Sequence, residues 1–348
     1  MTSGRTIFIL YLTSTHGVVA SEGSVPERKK KLSPGLQFLR DAGIALALVL
    51  SILVVMYAYT GLWPPLVVVE SDSMMHSNDN TSYIGAIDTG DLVLVKDVDS
   101  VTDIQTYMDG YTSGHKTYGD YGDVVIYRVN GQLTSTPIIH RAMIYLQGNA
   151  DGVSYSAPSL KDIPDEDNKW STSNPSDTWD HLTSTLTIRN VGYRDTSTSI
   201  DIGRIITAFR QYSTLPSGYI TKGDHNLNVD QSLASRYSPV KLDWVVGIAR
   251  GEMPWFGLLK LWATDSLGSP APENSVRNLW ISMAFIVAAP IVVDVVLTFR
   301  IRKKIAKRRE TAQHEFDAQQ QIGATEPVET PPPEPPATEP VPPPDENL

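Results

Sequence analysis

Two long apolar stretches constrain this chain more than any other feature. Residues 42–69 contain no charged side chain, and 42–63 alone is long enough for a membrane-spanning helix, which needs about 20 apolar residues. A second stretch, 279–299, contains one charge, Asp294. A buried core helix is the alternative for the first stretch, but so long an uncharged run favours a membrane span.

Basic residues flank the two stretches on opposite sides. Arg28-Lys29-Lys30-Lys31 precedes the first, and seven lysines and arginines lie within 300–309, after the second. By the positive-inside rule both termini are cytoplasmic, which predicts a multi-pass protein of the plasma membrane. The predicted order is a cytoplasmic segment, a span, an extracytoplasmic domain, a second span and a cytoplasmic tail, at 1–41, 42–63, 64–278, 279–299 and 300–348.

The two ends of the chain carry weaker signals. The apolar run 6–12 is too short to span a membrane. It can be interpreted as the core of a signal peptide or as the product of a mis-assigned start codon, and the sequence leaves both open. The tail is basic at 300–309 and rich in Pro and Glu over 325–348, which predicts disorder there.

Composition excludes several classes of function. The formal net charge of −10 argues against nucleic acid as the main partner. The chain has no cysteine, which removes thiol catalysis, disulfides and thiolate metal sites.

The region between the spans is predicted to be mainly β. Short β-branched runs are bounded by Gly, Asp, Asn or Pro. These predicted strands are 92–95, 124–127, 138–140, 202–206 and 244–248. A stretch rich in Ser, Thr and Asp, about 148–199, is predicted to be a surface insertion. The apolar segment 253–259 fits either the core or a loop that dips into the bilayer.

A candidate nucleophile lies where the first span meets this domain. Ser71 and Ser73 directly precede Met74 in a polar turn. Serine attacks well only when a base takes its proton. His140 is the histidine that lies in an apolar, strand-like run, and the polar turn 223–230 offers carboxylates.

The order of these segments resembles signal peptidase I, above all its archaeal members and the catalytic subunit of the eukaryotic signal peptidase complex. The matching segments lie between the first span and about residue 257. In chain order they are ESDSM (70–74), GDLVLV (90–95), GDVVIY (122–127), IIHR (138–141), TKGDHN (221–226) followed by Asp230, and VVGIARG (245–251).

The resemblance implies a membrane-anchored, β-rich catalytic domain and a serine endopeptidase that cleaves signal peptides from exported preproteins. It implies that Ser73 is the nucleophile and His140 the base. Asp230 is the first choice for the carboxylate that orients His140, with Asp224 as a structural or catalytic alternate. The hydroxyl of Ser71 would help to hold the oxyanion. The expected partners are preproteins and the lipid bilayer, the export translocon could be another, and no metal or organic cofactor is needed.

The sequence also departs from the family pattern. Asp72 stands where glycine is usual, which brings a negative charge near the expected oxyanion. The segments after Met75, after Lys96 and after His140 are longer than in compact members. Two alternatives stay open: a Ser–Lys dyad that uses Lys96 or Lys222, and a catalytically inactive relative that acts as a membrane-bound binding subunit.

Overall fold

The computed structural model describes residues 33–164 and 167–323. The 6–12 run and the Pro- and Glu-rich tail lie outside these ranges. The chain divides into two compact units, with the boundary between Tyr59 and Thr60. The described part of the first unit is almost entirely helix α1, Pro34–Thr60, whose last residue belongs to the second unit; the apolar window of this helix is unburied.

The second long helix, α5, closes the described chain. It runs over Glu273–Gly323, 51 residues, and contains Pro290. Like α1, it is long and apolar enough to cross a membrane. It extends beyond the predicted span because the basic and polar residues after 299 are mostly strong helix formers, so no residue type ends the helix there.

The elements between these helices are short and mostly β. The strands are β1 (Leu66–Val68), β2 (Leu92–Lys96), β3 (Lys116–Thr117), β4 (Asp120–Tyr121), β5 (Val124–Tyr127), β6 (Ile138–Gly148), β7 (Tyr155–Ser156), β8 (Trp170–Thr172), β9 (Thr185–Val191), β10 (Thr196–Asp201), β11 (Gly218–Lys222) and β12 (Val245–Met253). The helices are α2 (Tyr107–Ser113), α3 (Ile202–Phe209) and α4 (Gly257–Thr264).

Seven strands form the main sheet, in the order β1-β2-β12-β5-β6-β11, with β7 also on β6. Each pairing is antiparallel. All four residues of β5 are buried. Val124 and Ile126 face one apolar cluster and Val125 and Tyr127 another, so the centre of the sheet is covered on both faces.

The sheet curls around the first of these clusters. Val69, which follows edge strand β1, and Ile139 of β6 pack in the same cluster although three strands separate β1 from β6. The exposed edge of β1 therefore lies across a cleft from the start of β6. This curvature places the candidate site.

The predicted insertion forms a second small sheet, whose buried apolar residues pack in one core with residues of α2, β6 and β11. Strands β8, β9 and β10 make a three-stranded sheet. The prediction of a strand at 202–206 is wrong, because these residues begin helix α3. Asp201 caps this helix by accepting a hydrogen bond from the Arg204 N–H. The apolar residues recur at helical spacing, at 202, 205, 206 and 209, and a run of isoleucines hid that period.

Candidate active site

The loop after β1 presents Ser73. Met74 and Met75 are both buried, 1% exposed each, and anchor the loop in the core. The Met75 N–H donates to the Asp72 carbonyl at 3.0 Å and closes a turn. Buried methionines directly after the serine thus fix a half-exposed hydroxyl at the protein surface.

The two serines of the loop contact each other. The Ser71 and Ser73 hydroxyls lie 3.2 Å apart. Within the part of the chain that the structure describes, the Ser73 N–H has no hydrogen-bond partner. This N–H and the Ser71 hydroxyl are two donors beside one nucleophile, the set that an oxyanion hole requires.

His140 is paired with Asp230. Its Nδ1 lies 2.6 Å from Asp230 Oδ2, and both side chains are buried. The same oxygen accepts hydrogen bonds from the Tyr127 hydroxyl at 2.8 Å and the Thr221 hydroxyl at 2.7 Å. Burial would raise the pKa of Asp230, but His140 and these hydroxyls hold that pKa below its ordinary value. An ionised Asp230 fixes the proton on Nδ1 and leaves Nε2 free to accept one.

Gly223 brings His140 and the Ser73 loop to one point. A β-carbon at position 223 would lie 2.5 Å from the Ser73 carbonyl oxygen and 2.9 Å from His140 Nε2. The His225 N–H donates to the same Ser73 carbonyl at 2.9 Å. A residue without a side chain is needed here because the imidazole and the serine backbone occupy the space.

Asp224 does not contact His140. Its carboxylate pairs with the buried guanidinium of Arg141, at 2.8 Å and 2.6 Å, and with His76 Nε2 at 2.7 Å. Burial opposes ionisation of Asp224, but Arg141 and His76 hold its pKa well below the usual range. The Nη1 of Arg141 donates to the carbonyls of Thr117, Tyr121 and Gly122. Asp224 therefore anchors the 223–230 loop to the sheet.

The two candidate lysines lie away from the serine. Lys222 pairs across the strands with Arg141, on the face of the sheet opposite His140, and its Nζ donates to the Gly223 carbonyl at 3.2 Å. Burial lowers the pKa of Lys222. Lys96 is exposed at the end of β2 and does not line the cleft that holds Ser73.

The carboxylate of Asp72 is exposed and has a hydrogen-bond partner in the segment before α5. It accepts a hydrogen bond from the Ser269 hydroxyl at 3.2 Å. Gly268 and Ser269 also donate their N–H groups to the Glu70 carbonyl, at 2.9 Å and 3.1 Å. The segment before α5 thus holds the serine loop from its outer side.

A cleft of about 490 Å³ joins these groups. One wall is the end of β1 and the loop that follows, and the other is the start of β6. Ser71, Ser73, His140 and Asp230 all line it, and Asp224 does not. The predicted site residues thus come together with the exception of Asp224.

Sequence reasoning missed four supporting side chains. Tyr127 and Thr221 hold Asp230, while His76 and Arg141 hold Asp224. Arg141 was visible as a charge inside an apolar strand, which requires a buried partner. The others gave no local signal.

The chain was compared with protein-family models, with curated proteins and with solved structures. None of the three comparisons finds a match.

Proposed function

We propose that this protein is a membrane-bound serine endopeptidase of the signal peptidase type, which cleaves N-terminal signal peptides from exported preproteins. The observation that carries the proposal is the buried His140–Asp230 pair, whose free Nε2 meets the Ser73 loop across Gly223. A serine, a histidine and a carboxylate so arranged at an open cleft are suited to acyl transfer.

The proposed reaction proceeds through an acyl-enzyme. Ser73 Oγ attacks the scissile carbonyl carbon as its proton passes to His140 Nε2. The oxyanion is held by the Ser73 N–H and the Ser71 hydroxyl. His140 then gives the proton to the departing amine as the C–N bond breaks. A water molecule, deprotonated by His140, attacks the ester, and the proton returns to Ser73 Oγ as the acid leaves.

The substrate would bind as an extended strand. The Pro65 carbonyl accepts a hydrogen bond from Val95 of β2, and Val69 bonds Gly90 and Asp91 just before β2. The alternate peptide groups, at Leu66 and Val68, therefore face away from that strand. β1 is an edge strand of the sheet, and its end lines the cleft. Addition of a peptide strand to such an edge supplies affinity through main-chain bonds.

The proposed location follows from the two long apolar helices and their basic flanks. Both termini would be cytoplasmic and the cleft would lie outside, near the bilayer, where a signal peptide emerges during export. Preproteins and lipid are the proposed partners.

The test is cleavage of a preprotein by the purified full chain in detergent, with the cut site found by mass spectrometry. We expect one cut after the signal peptide, and a fall of about 10³-fold or more in rate for Ser73→Ala and for His140→Ala. His181→Ala is the matched control, because that side chain is 55% exposed and lies 3.7 Å from the carboxylate of Asp151, away from the cleft. Equal cleavage by the native chain and Ser73→Ala would refute the proposal.

One observation favours a second candidate, a non-catalytic binding subunit. The hydrogen-bond partner of the Ser73 hydroxyl is Ser71 rather than His140. An inactive relative would bind the preprotein with equal affinity in native and Ser73→Ala forms and cleave it in neither. The same assay, with a pull-down added, separates the two candidates.

A further inference from the structure

The insertion ends in a tight turn beside the candidate site. Strands β9 and β10 form a hairpin whose turn, 192–195, is closed by the Asp195 N–H donating to the Gly192 carbonyl at 3.1 Å. The hairpin is fixed to the body of the domain just before this turn. The Asn190 carbonyl accepts hydrogen bonds from Lys169 Nζ at 2.8 Å and from the Tyr107 hydroxyl at 2.9 Å.

The turn is hydrogen-bonded to the 223–230 loop, which contains both Asp224 and Asp230. Arg194 Nη1 donates to the His225 carbonyl at 2.9 Å, and its Nη2 lies 3.2 Å from His225 Nε2. The same Nη2 lies 3.4 Å from His225 Nδ1. That Nδ1 lies 2.9 Å from the Tyr193 hydroxyl.

Tyr193 and Arg194 also contact the segment that follows Ser73. Arg194 Nε and Nη2 donate to Asn78 Oδ1 at 3.0 Å and 2.7 Å. The Tyr193 ring stacks on the His76 ring, with centroids 5.1 Å apart and planes 18° from parallel. His76 in turn bonds Asp224 at 2.7 Å.

These contacts join the loop that contains His225 to the segment that follows Ser73. The spacing of these two segments determines the distance between Ser73 and His140. The segments touch through the His225 N–H and the Ser73 carbonyl, and Gly223 beside this bond separates Ser73 from His140. A guanidinium that donates to both segments restrains that gap from outside, at less entropic cost than a flexible lysine would require.

We propose that Tyr193 and Arg194 are positioning residues, and that the insertion acts through them as a clamp that holds Ser73 at its working distance from His140. The catalytic part of this inference rests on the proposed endopeptidase function. The structural part does not, because it concerns the bond between His225 and Ser73.

The experiment compares Arg194→Ala with Arg189→Ala in the full chain. Arg189 lies on β9, the strand that leads into the turn, and bonds Asn168 and Ser171, outside both of these segments, so it is a matched control. Two readouts are taken: preprotein cleavage resolved into kcat and KM, and hydrogen exchange of the peptide that contains the His225 amide. Tyr193→Phe, which keeps the ring stacked on His76, serves as a milder second variant.

We expect Arg194→Ala to lower kcat by roughly 10–100-fold with KM changed less than threefold, since small displacements of reacting groups cost about that much. Guanidinium ion added at millimolar concentration restores part of kcat, and Arg194→Lys retains an intermediate value. The His225 amide exchanges faster in Arg194→Ala and, to a smaller extent, in Tyr193→Phe, while Arg189→Ala matches the native chain in both readouts.

The outcomes separate the two proposals. If the native chain does not cleave, the endopeptidase proposal fails, and hydrogen exchange alone decides whether the clamp exists. Native rates of both cleavage and exchange in Arg194→Ala and Tyr193→Phe would overturn the clamp. An equal loss of kcat in Arg189→Ala, or no rescue by guanidinium, would reduce the role of Arg194 to general stability and would also overturn it.

Discussion

His140 Nε2 and Gly223 approach so closely that a β-carbon on Gly223 would lie 2.9 Å from this nitrogen. The same carbon would lie 2.5 Å from the Ser73 carbonyl oxygen. The relationship means that the histidine reaches the serine loop only across a residue that has no side chain.

Gly223→Ala should therefore inactivate the protein without unfolding it. The added methyl group pushes the imidazole or the serine loop aside, and we expect cleavage to fall by about 10²-fold or more. Cleavage rate and thermal unfolding are measured together. Gly251→Ala is the control for a glycine outside the cleft, since its φ is not positive and a β-carbon there would meet nothing closer than 3.7 Å. Native activity in Gly223→Ala would contradict the geometry described above.

The two aspartates of the 223–230 loop should respond differently to amidation. Asp230→Asn removes the charge that fixes the His140 tautomer, and we expect cleavage to fall by about 10²–10⁴-fold with little change in unfolding temperature. Asp224→Asn leaves Arg141 buried with a neutral partner, which should lower the free energy of unfolding by about 3–5 kcal/mol.

Cleavage at low temperature separates the two effects. Below its lowered unfolding temperature, Asp224→Asn should keep most of its activity, whereas Asp230→Asn should not. The reverse pattern would make Asp224 the orienting carboxylate.

Lys222→Met tests the Ser–Lys alternative. Lys222 shares a sheet face with Arg141, opposite His140, so it lies away from Ser73. Its replacement by an apolar side chain of similar length should leave kcat/KM within about threefold of native. A loss as large as that of His140→Ala would identify the lysine as the base.

A buried acidic group near the end of β1 should make stability depend on pH. Burial, with the charges of Asp88 and Glu252, raises the pKa of Asp91 from 3.8 to about 7. The unfolded chain releases this proton at lower pH than the folded one. The stabilisation from protonated Asp91 is therefore full below pH 3.8 and is lost as pH rises to about 7, at about 1.4 kcal/mol for each pKa unit.

Glu252→Gln removes one of these like charges and should reduce the loss of folding stability as pH rises. The measurement is the urea midpoint in detergent at pH 5 and pH 8, with Asp162→Asn as an exposed control. The Glu252→Gln chain should lose less stability between the two pH values than the native chain. An equal loss in both would show that Glu252 does not act on Asp91.

The proposed topology can be checked with single cysteines, because the native chain has none. Ser176→Cys lies on an exposed part of the insertion, and Ala337→Cys lies in the tail. In intact cells a membrane-impermeant maleimide should label the first and not the second. After lysis both should react. Labelling of position 337 alone in intact cells would place the cleft on the cytoplasmic side.

The sequence predicted those parts of the site that local patterns encode. A serine directly before methionine, a histidine in an apolar strand and an acidic turn are each visible within a few residues. The pairing of His140 with Asp230 joins positions 90 residues apart, and the order of the segments suggested it only through the resemblance to signal peptidase I.

The hydrogen-bond partners of the acidic side chains depend on the direction in which each side chain points. The spacing of residues along the sequence does not reveal that direction. Asp224 and Asp230 occupy one turn, yet Asp224 bonds Arg141 and Asp230 bonds His140. The Asp72 carboxylate accepts a hydrogen bond from the hydroxyl of Ser269, 197 residues away, which no local pattern could predict. The hydrogen bond from Arg194 to the His225 carbonyl likewise joins positions 31 residues apart, which no local pattern predicts.

Because side chains alternate between the two faces of β6, the register of this strand decides which side chain faces the cleft. His140 and Arg141 are adjacent, so a shift of one residue within β6 would exchange their faces and bring a guanidinium opposite Asp230. A guanidinium cannot accept a proton at physiological pH. Loss or gain of a single codon within this strand would thus leave the cleft without a side chain that can accept the Ser73 proton. The neighbouring loop 128–137 does not alternate its side chains between two sheet faces, so a change in its length would not exchange faces in this way.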